Sequence, residues 1–262
     1  MTSPLASDAV ELTALAEAAR RPAPLPIPGT ANFRAAAAGA PGLRPGVLYR
    51  ADAPARLGDE GRASLEALGI VRLIDLRSDE EVADAPDDVA GTEITVHRIP
   101  IMAGSVRDAV TTIAGGGLPD LRSLYVMMLR DGGPAFGRAL ALLAEDGASV
   151  VHCTAGKDRT GLTIALALLA VGIDLDTVVA DYARTEANLA GDWVDTMAAK
   201  IAQYGLTLEG SLRELVAGSP ADAIRGALTE VVLADGSADV YLDAIGVDAA
   251  LRSRLRDALR AR

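Results

Sequence analysis

Half of the 262 residues are hydrophobic but only 3% are aromatic, so the chain can bury a large core and must build it from Ala, Leu, Val and Ile. A net charge of −11, a pI near 4.7 and the lack of any Lys/Arg run argue against nucleic acid and against an anionic membrane surface. The single cysteine excludes an intramolecular disulfide and implies a reducing compartment.

The first residues are acidic and lack the early basic charge of a secretory signal. Residues 7–20 show the apolar spacing of an amphipathic helix, and RPAPLPIPGT then forms an extended connector, so residues 1–29 precede the main elements. Short strands are expected at 46–49, 71–76 and 94–101, with a helix at 59–68 stopped by Gly69. From 105 to 146 the pattern reads as a helix, a break at Gly115 to Gly117, and two helices separated at Gly132 and Gly133. The β-branched run 148–152 is a buried strand, and helical periodicity resumes at Arg159 and stops at Gly172. Asp174 and Asp248 each follow a Gly-Ile or Gly-Val pair and cap new helices. The Arg-rich C-terminus interleaves Arg with Leu at helical spacing, a solvated helix face. The longest apolar run, 162–173, is shorter than the roughly 20 residues a membrane helix needs, so a cytoplasmic protein with no stable membrane insertion is expected. The expected fold is a single α/β domain over 1–262, with its few strands in the first 152 residues and a helical C-terminal half.

Lysine occurs only at 157 and 200 and histidine only at 97 and 152, yet His152, Cys153 and Lys157 share one short window, HCTAGKDRTG. In it a strand ends, the chain turns through Thr154, Ala155 and Gly156, and a helix begins near Arg159. Amide N–H groups in such a turn converge on one point, and the helix N-terminus adds partial positive charge. Phosphate fits that cradle, and Arg159 can add a bidentate fork. The same field favours the thiolate of Cys153, a nucleophile for phosphocysteine chemistry, with Thr160 placed to donate to the departing sulfur and His152 to support the loop. A nucleotide-binding glycine loop fails, because Asp158 follows Lys157 and Val151 stands where the first glycine belongs. A zinc site needs more Cys and His than the chain has. A rhodanese-type sulfur-transfer loop would not require Arg159 at this offset. An inert buried cysteine leaves Lys157, Asp158 and Arg159 without a purpose.

The loop resembles the HCxxGKDRTG signature of the atypical bacterial protein tyrosine phosphatases. Asn32-Phe33-Arg34, the VLYRAD segment 47–52, the stretch from Leu68-Gly69-Ile70 to Arg77 and Ala180-Asp181-Tyr182 are similar to further elements of that family. The resemblance implies a small, mainly parallel central sheet flanked by many helices. It also implies Cys153 as nucleophile, Arg159 as phosphate clamp and Asp158 as general acid and base, since no WPD segment occurs and Trp193 reads as packing. Asp75 matches a family aspartate that would orient Arg159 or share the proton work. Lys157 would recognise a further phosphate group, the alternative being a surface lysine. The loop from Thr154 to Thr160 binds substrate, no metal or other cofactor is required, and His97 is assigned no role. The sequence departs from the family in losing an acid after Arg34. Residues 103–131, with their glycines and the run LYVMML taken as exposed, are expected to form a lid. The expected partner is a phosphorylated protein, by default a phosphotyrosine one, or a small phosphomonoester. A phosphoinositide or metabolite phosphatase of the same chemistry, and a phospho-ligand-binding pseudo-enzyme, are the rival readings.

Overall fold

The computed structural model describes residues 14, 15, 17, 18, 20, 21, 23–101 and 120–261. Most of the expected N-terminal helix, and residues 103–119 of the expected lid with their glycine break, lie outside these residues.

Five strands form one sheet: β1 (Arg34–Ala35), β2 (Leu48–Ala51), β3 (Ile70–Asp75), β4 (Thr95–Arg98) and β5 (Ala148–His152), in the order β1-β2-β5-β3-β4. All pairings are parallel except β1 with β2. β5 (ASVVH) is central and entirely buried, its β-branched Val150 and Val151 packing on opposite faces. Its neighbours alternate faces: Val150 and Leu73 join a layer with Phe33 and Tyr49, while Val151 and Ile74 join the opposite layer. Register sets Ala51 and Asp75 level with His152, so three strands end together beneath the HCTAGKDRTG loop.

The strand expected at 71–76 and the helix expected at 59–68 are each displaced by one residue, and two other strands differ by more. β2 starts two residues late, after the Pro45-Gly46 turn, and runs on to Ala51 because β5 offers pairing that far. β4 is shorter than 94–101 because it is an edge strand leading into Pro100.

The helices are α1 (Gly58–Ala67), α2 (Asp79–Asp84), α3 (Leu121–Asp131), α4 (Gly133–Leu143), α5 (Asp158–Ala170), α6 (Leu175–Leu189), α7 (Asp192–Ala202), α8 (Gly210–Ala217), α9 (Ala221–Ala227), α10 (Asp239–Ala244) and α11 (Ala249–Leu259). One π-helical turn, Leu228–Val232, continues α9. α5 is buried on nearly all sides and forms the hub of the helical half. Asp174 and Asp248 do cap α6 and α11, accepting from the amides of Thr177 and Leu251. α2 was not expected, since DEEVAD has no buried residue and no apolar stripe; a capping box between Ser78 and Glu81 holds it.

The LYVMML run is not an exposed lid surface. It lies in α3, where Leu121, Tyr125, Met128 and Leu129 are buried and only Met127 of the large apolar residues is open to solvent. Glu230 pairs with Arg122 and Arg130, and the Tyr241 hydroxyl donates to the Leu129 carbonyl at 2.7 Å, so α3 is fastened along its length. Trp193 sits partly buried in a small cluster of α7 and α8, a packing role as expected. Among the described residues, no helix is long and apolar enough to cross a membrane.

Candidate active site

The chain leaves β5 at His152, turns through residues 153–157 and enters α5 at Asp158. The turn closes because Gly156 takes φ 66°, and a Cβ there would lie 2.2 Å from the Ala51 carbonyl oxygen, so only glycine fits against the end of β2. The loop's carbonyls are held outward. The amide of Ala53 donates to the Thr154 oxygen, Asn32 Nδ2 donates to the Ala155 oxygen at 3.0 Å, and Arg50 donates to the Gly156 oxygen at 2.8 Å. A trans peptide directs its N–H opposite to its C=O, so the N–H groups of Ala155, Gly156 and Lys157 face the inner side of the turn. The free first N–H groups of α5 continue that row.

The outer supports are themselves locked. Asp52 accepts from the amides of Ala31 and Asn32 and seats the Asn32 side chain; its burial raises its carboxyl above the ordinary range. Arg50 pairs with Asp181 at 2.6 Å, and Arg34 donates to the Asp181 carbonyl, to Thr185 and to Asn32. Burial pushes the Asp181 carboxyl up, but the charges of Arg50 and Arg34 outweigh it, and the group lies below its usual value. Arg34 therefore needs no acid immediately after it in sequence, because α6 supplies one.

Cys153 is buried at the start of the loop, and Arg159 is buried in the first turn of α5. Both terminal nitrogens of Arg159 bond the carboxylate of Glu81, each at 2.7 Å, and Glu81 also accepts from the Thr154 hydroxyl. Burial raises the Glu81 carboxyl, yet the Arg159 fork and the Thr154 hydroxyl carry it down to about 2. Burial likewise lowers the Arg159 guanidinium, but Glu81 and the Cys153 sulfur raise it further, and it stays charged. Sequence reasoning missed Glu81, although the S-x-x-E spacing from Ser78 was the signal that this residue sits at a helix start.

Asp75 does not orient Arg159. Its two oxygens are taken by Arg77, at 2.9 and 3.0 Å, because the side chains two residues apart lie on one face of the strand end. Arg77 also reaches Asp87 at 2.6 Å. The His152 ring is fully buried between these acids, 3.9 Å from Asp75 and 3.6 Å from Asp87. Ligand atoms of Asp75, Asp87 and His152 lie within 4.8 Å of one another, a spacing a cation could bridge, but the Arg77 guanidinium already bridges both carboxylates. His97, on the edge strand β4, takes no part in this cluster.

Lys157 is the residue just before α5. It is fully buried, not a surface lysine, and its ammonium donates to the carbonyls of Leu215 at 2.6 Å and Gly218 at 2.9 Å. A second phosphate would have to compete with those carbonyls. Asp158, partly exposed, stands with its Oδ1 3.3 Å from that ammonium and accepts from the Tyr125 hydroxyl at 2.5 Å. Thr160 is buried, with no hydrogen-bond partner for its hydroxyl among the described residues.

A buried thiol, a buried guanidinium and a partly exposed carboxylate are thus carried by one loop and the helix start that follows it. The sequence profile of the tyrosine phosphatase family matches residues 25–261. The chain is 32% identical to the triple specificity protein phosphatase PtpB of Mycobacterium tuberculosis, over 89% of its own length and 98% of that protein. It is 36% identical to a tyrosine-protein phosphatase of Nostoc commune, over 54% of this chain and 49% of that one. The crystal structure of P. aeruginosa TpbA overlaps only loosely, with a TM-score of 0.30 at 18% identity over 60% of this chain and 87% of that one. Matched by the profile across the whole sheet, loop and helical half, the chain belongs to the tyrosine phosphatase family, whose members are cysteine-dependent phosphatases.

Proposed function

We propose that the chain hydrolyses phosphate monoesters, by default phosphotyrosine in proteins, through a phosphocysteine formed on Cys153. The observation that carries the reading is the loop whose carbonyls Asn32, Arg50 and Ala53 turn outward, leaving its N–H groups, and the N–H hydrogens of Arg159 that Glu81 does not take, for the three peripheral phosphate oxygens. In the first step Cys153 attacks phosphorus while Asp158 protonates the leaving oxygen. In the second, Asp158 as carboxylate takes a proton from the attacking water, and the sulfur departs toward the hydroxyl of Thr160, which has no partner among the described residues. A relative named a triple specificity phosphatase supports trying more than one class of phosphomonoester. The single cysteine is in keeping with a cytoplasmic location and one phosphatase domain working in a reducing compartment.

The test is a panel of aryl phosphate, phosphotyrosine, phosphoserine and phosphothreonine peptides, phosphoinositides and sugar phosphates on wild type and Cys153→Ser. Wild type should favour the aryl and phosphotyrosine substrates and keep its rate in a chelator, while Cys153→Ser should lose at least about a thousandfold. Turnover by Cys153→Ser at the parent rate, or loss of wild-type activity on chelation, contradicts the mechanism.

A further inference from the structure

We infer that Tyr125 and Tyr182 form a relay of phenol groups that holds Oδ1 of Asp158 and so presents Oδ2 to the leaving group; the inference rests on Asp158 being the acid of the proposed reaction. The Tyr125 hydroxyl donates to Asp158 Oδ1 at 2.5 Å, and the Tyr125 and Tyr182 hydroxyls lie 2.6 Å apart. A phenol has one proton. Since that of Tyr125 goes to the carboxylate, Tyr182 supplies the bond between the two hydroxyls, and the direction runs Tyr182 to Tyr125 to Asp158. Burial, together with the negative charge of Asp158, raises both phenols above their usual range, so they remain donors throughout the working pH of the enzyme.

Oδ1 therefore has Tyr125 and the Lys157 ammonium on it, whereas Oδ2 makes no hydrogen bond to any described residue. This asymmetry matches the two states of the acid. Protonated on Oδ2, Asp158 keeps Oδ1 as a carbonyl-like acceptor for Tyr125; ionised, it keeps the same bond. The relay need not rearrange as the proton leaves. When the S–P bond forms and the P–O bond breaks, the electron pair goes to the leaving oxygen, which takes the proton from Oδ2. When water attacks phosphorus, its proton returns to Oδ2 and the sulfur leaves as thiolate.

The relay also has a rigid base. Asp158 is the first residue of α5, where a side chain has no preceding helical turn to pack on. Tyr125 comes from α3, Tyr182 from α6, and their rings meet edge-on at 5.9 Å and 86°. Tyr125 and Tyr182 are positioning residues: neither is asked to touch the substrate.

A purely structural role would slow every substrate alike. Positioning of a general acid predicts a loss that grows as the leaving group becomes a poorer one. The experiment compares wild type, Tyr125→Phe, Tyr182→Phe and Asp158→Asn on aryl phosphates from 2,4-dinitrophenyl to phenyl. Tyr125→Phe should lose about ten- to a hundredfold in kcat/KM, which reports the leaving-group step, on phenyl phosphate but less than about threefold on the dinitrophenyl ester, a part of the roughly 10²–10⁴-fold that a general acid contributes. Tyr182→Phe should show the same pattern more weakly, and Asp158→Asn more strongly. If Asp158→Asn follows the pattern and the tyrosine variants do not, the relay is wrong and the acid stands. If Asp158→Asn shows no dependence on the leaving group, the acid assignment falls and the relay with it. Phenylalanine keeps the ring packing, and melting curves check the fold. Should Tyr125→Phe fail to fold, Tyr182→Phe decides the matter by the same pattern.

Discussion

At Glu81 one carboxylate completes a capping box, accepts a loop hydroxyl and grips both terminal nitrogens of Arg159. Each contact limits where the others can go, so the guanidinium is held before any substrate arrives. Removing one negative charge tests this. Glu81→Gln should lower kcat/KM on aryl phosphates by about ten- to a hundredfold, the scale of a lost charge-assisted positioning contact, with weaker inhibition by inorganic phosphate. The pH dependence has a definite sign. The Glu81 carboxyl lies at about 2 in the folded chain against an ordinary 4.5, so its contribution to stability is present above pH 4.5 and is lost as pH falls toward 2. Stability of Glu81→Gln against pH should be flatter than wild type across that window, read by denaturant unfolding at each pH. An equal slope would place the acid sensitivity elsewhere.

Among the elements, α5 is enclosed on nearly all sides, whereas α3 adds exposed ion pairs to one buried face. α5 is fixed by burial, with Leu166 wholly enclosed, and Leu166→Ala should cost about 2–5 kcal/mol through lost contacts and the cavity left behind. The ion pairs of α3 with Glu230 are solvent-exposed, and Glu230→Ala should cost no more than about 1 kcal/mol. Urea unfolding measures both; a larger loss for Glu230→Ala would mean that the pairs clamp α3 more than exposure allows. The helical half reads well from sequence for the same reason. Asp174 and Asp248 cap through their own following residues, so a few adjacent letters suffice. By contrast α2 buries nothing and carries no period, and β1 is two residues long. β1 leaves no pattern to find, and α2 leaves only the S-x-x-E spacing of its capping box.

Across the whole molecule, Asp181 joins the two halves. It lies on α6, binds Arg50 of β2, accepts from the Ala37 amide after β1, and through Arg50 reaches the Gly156 carbonyl of the loop. Two buried guanidiniums share this one carboxylate, so removing its charge strands them. Asp181→Asn should destabilise by about 3–5 kcal/mol, the cost of breaking a buried pair from one side. It should also reduce activity in the folded fraction, since Arg50 would no longer be held on the loop; equilibrium unfolding and kcat at saturating substrate separate the two effects. Because the Asp181 carboxyl is depressed in the folded chain, its contribution is present at neutral pH and lost as pH falls below the usual carboxylate range.

By itself the sequence determined the chemistry that is local: a strand, a glycine turn and a helix start following in order, with cysteine and arginine six positions apart. Contiguous residues set backbone direction, and backbone direction sets where amide N–H groups aim. Only the tertiary structure decided which charges meet. Glu81, not Asp75, grips Arg159; Lys157 turns to carbonyls at the C-terminal end of α8; Tyr125 finds Asp158 from 33 residues away. Such partners are brought together by strand register and helix packing, and no short pattern in the chain records those.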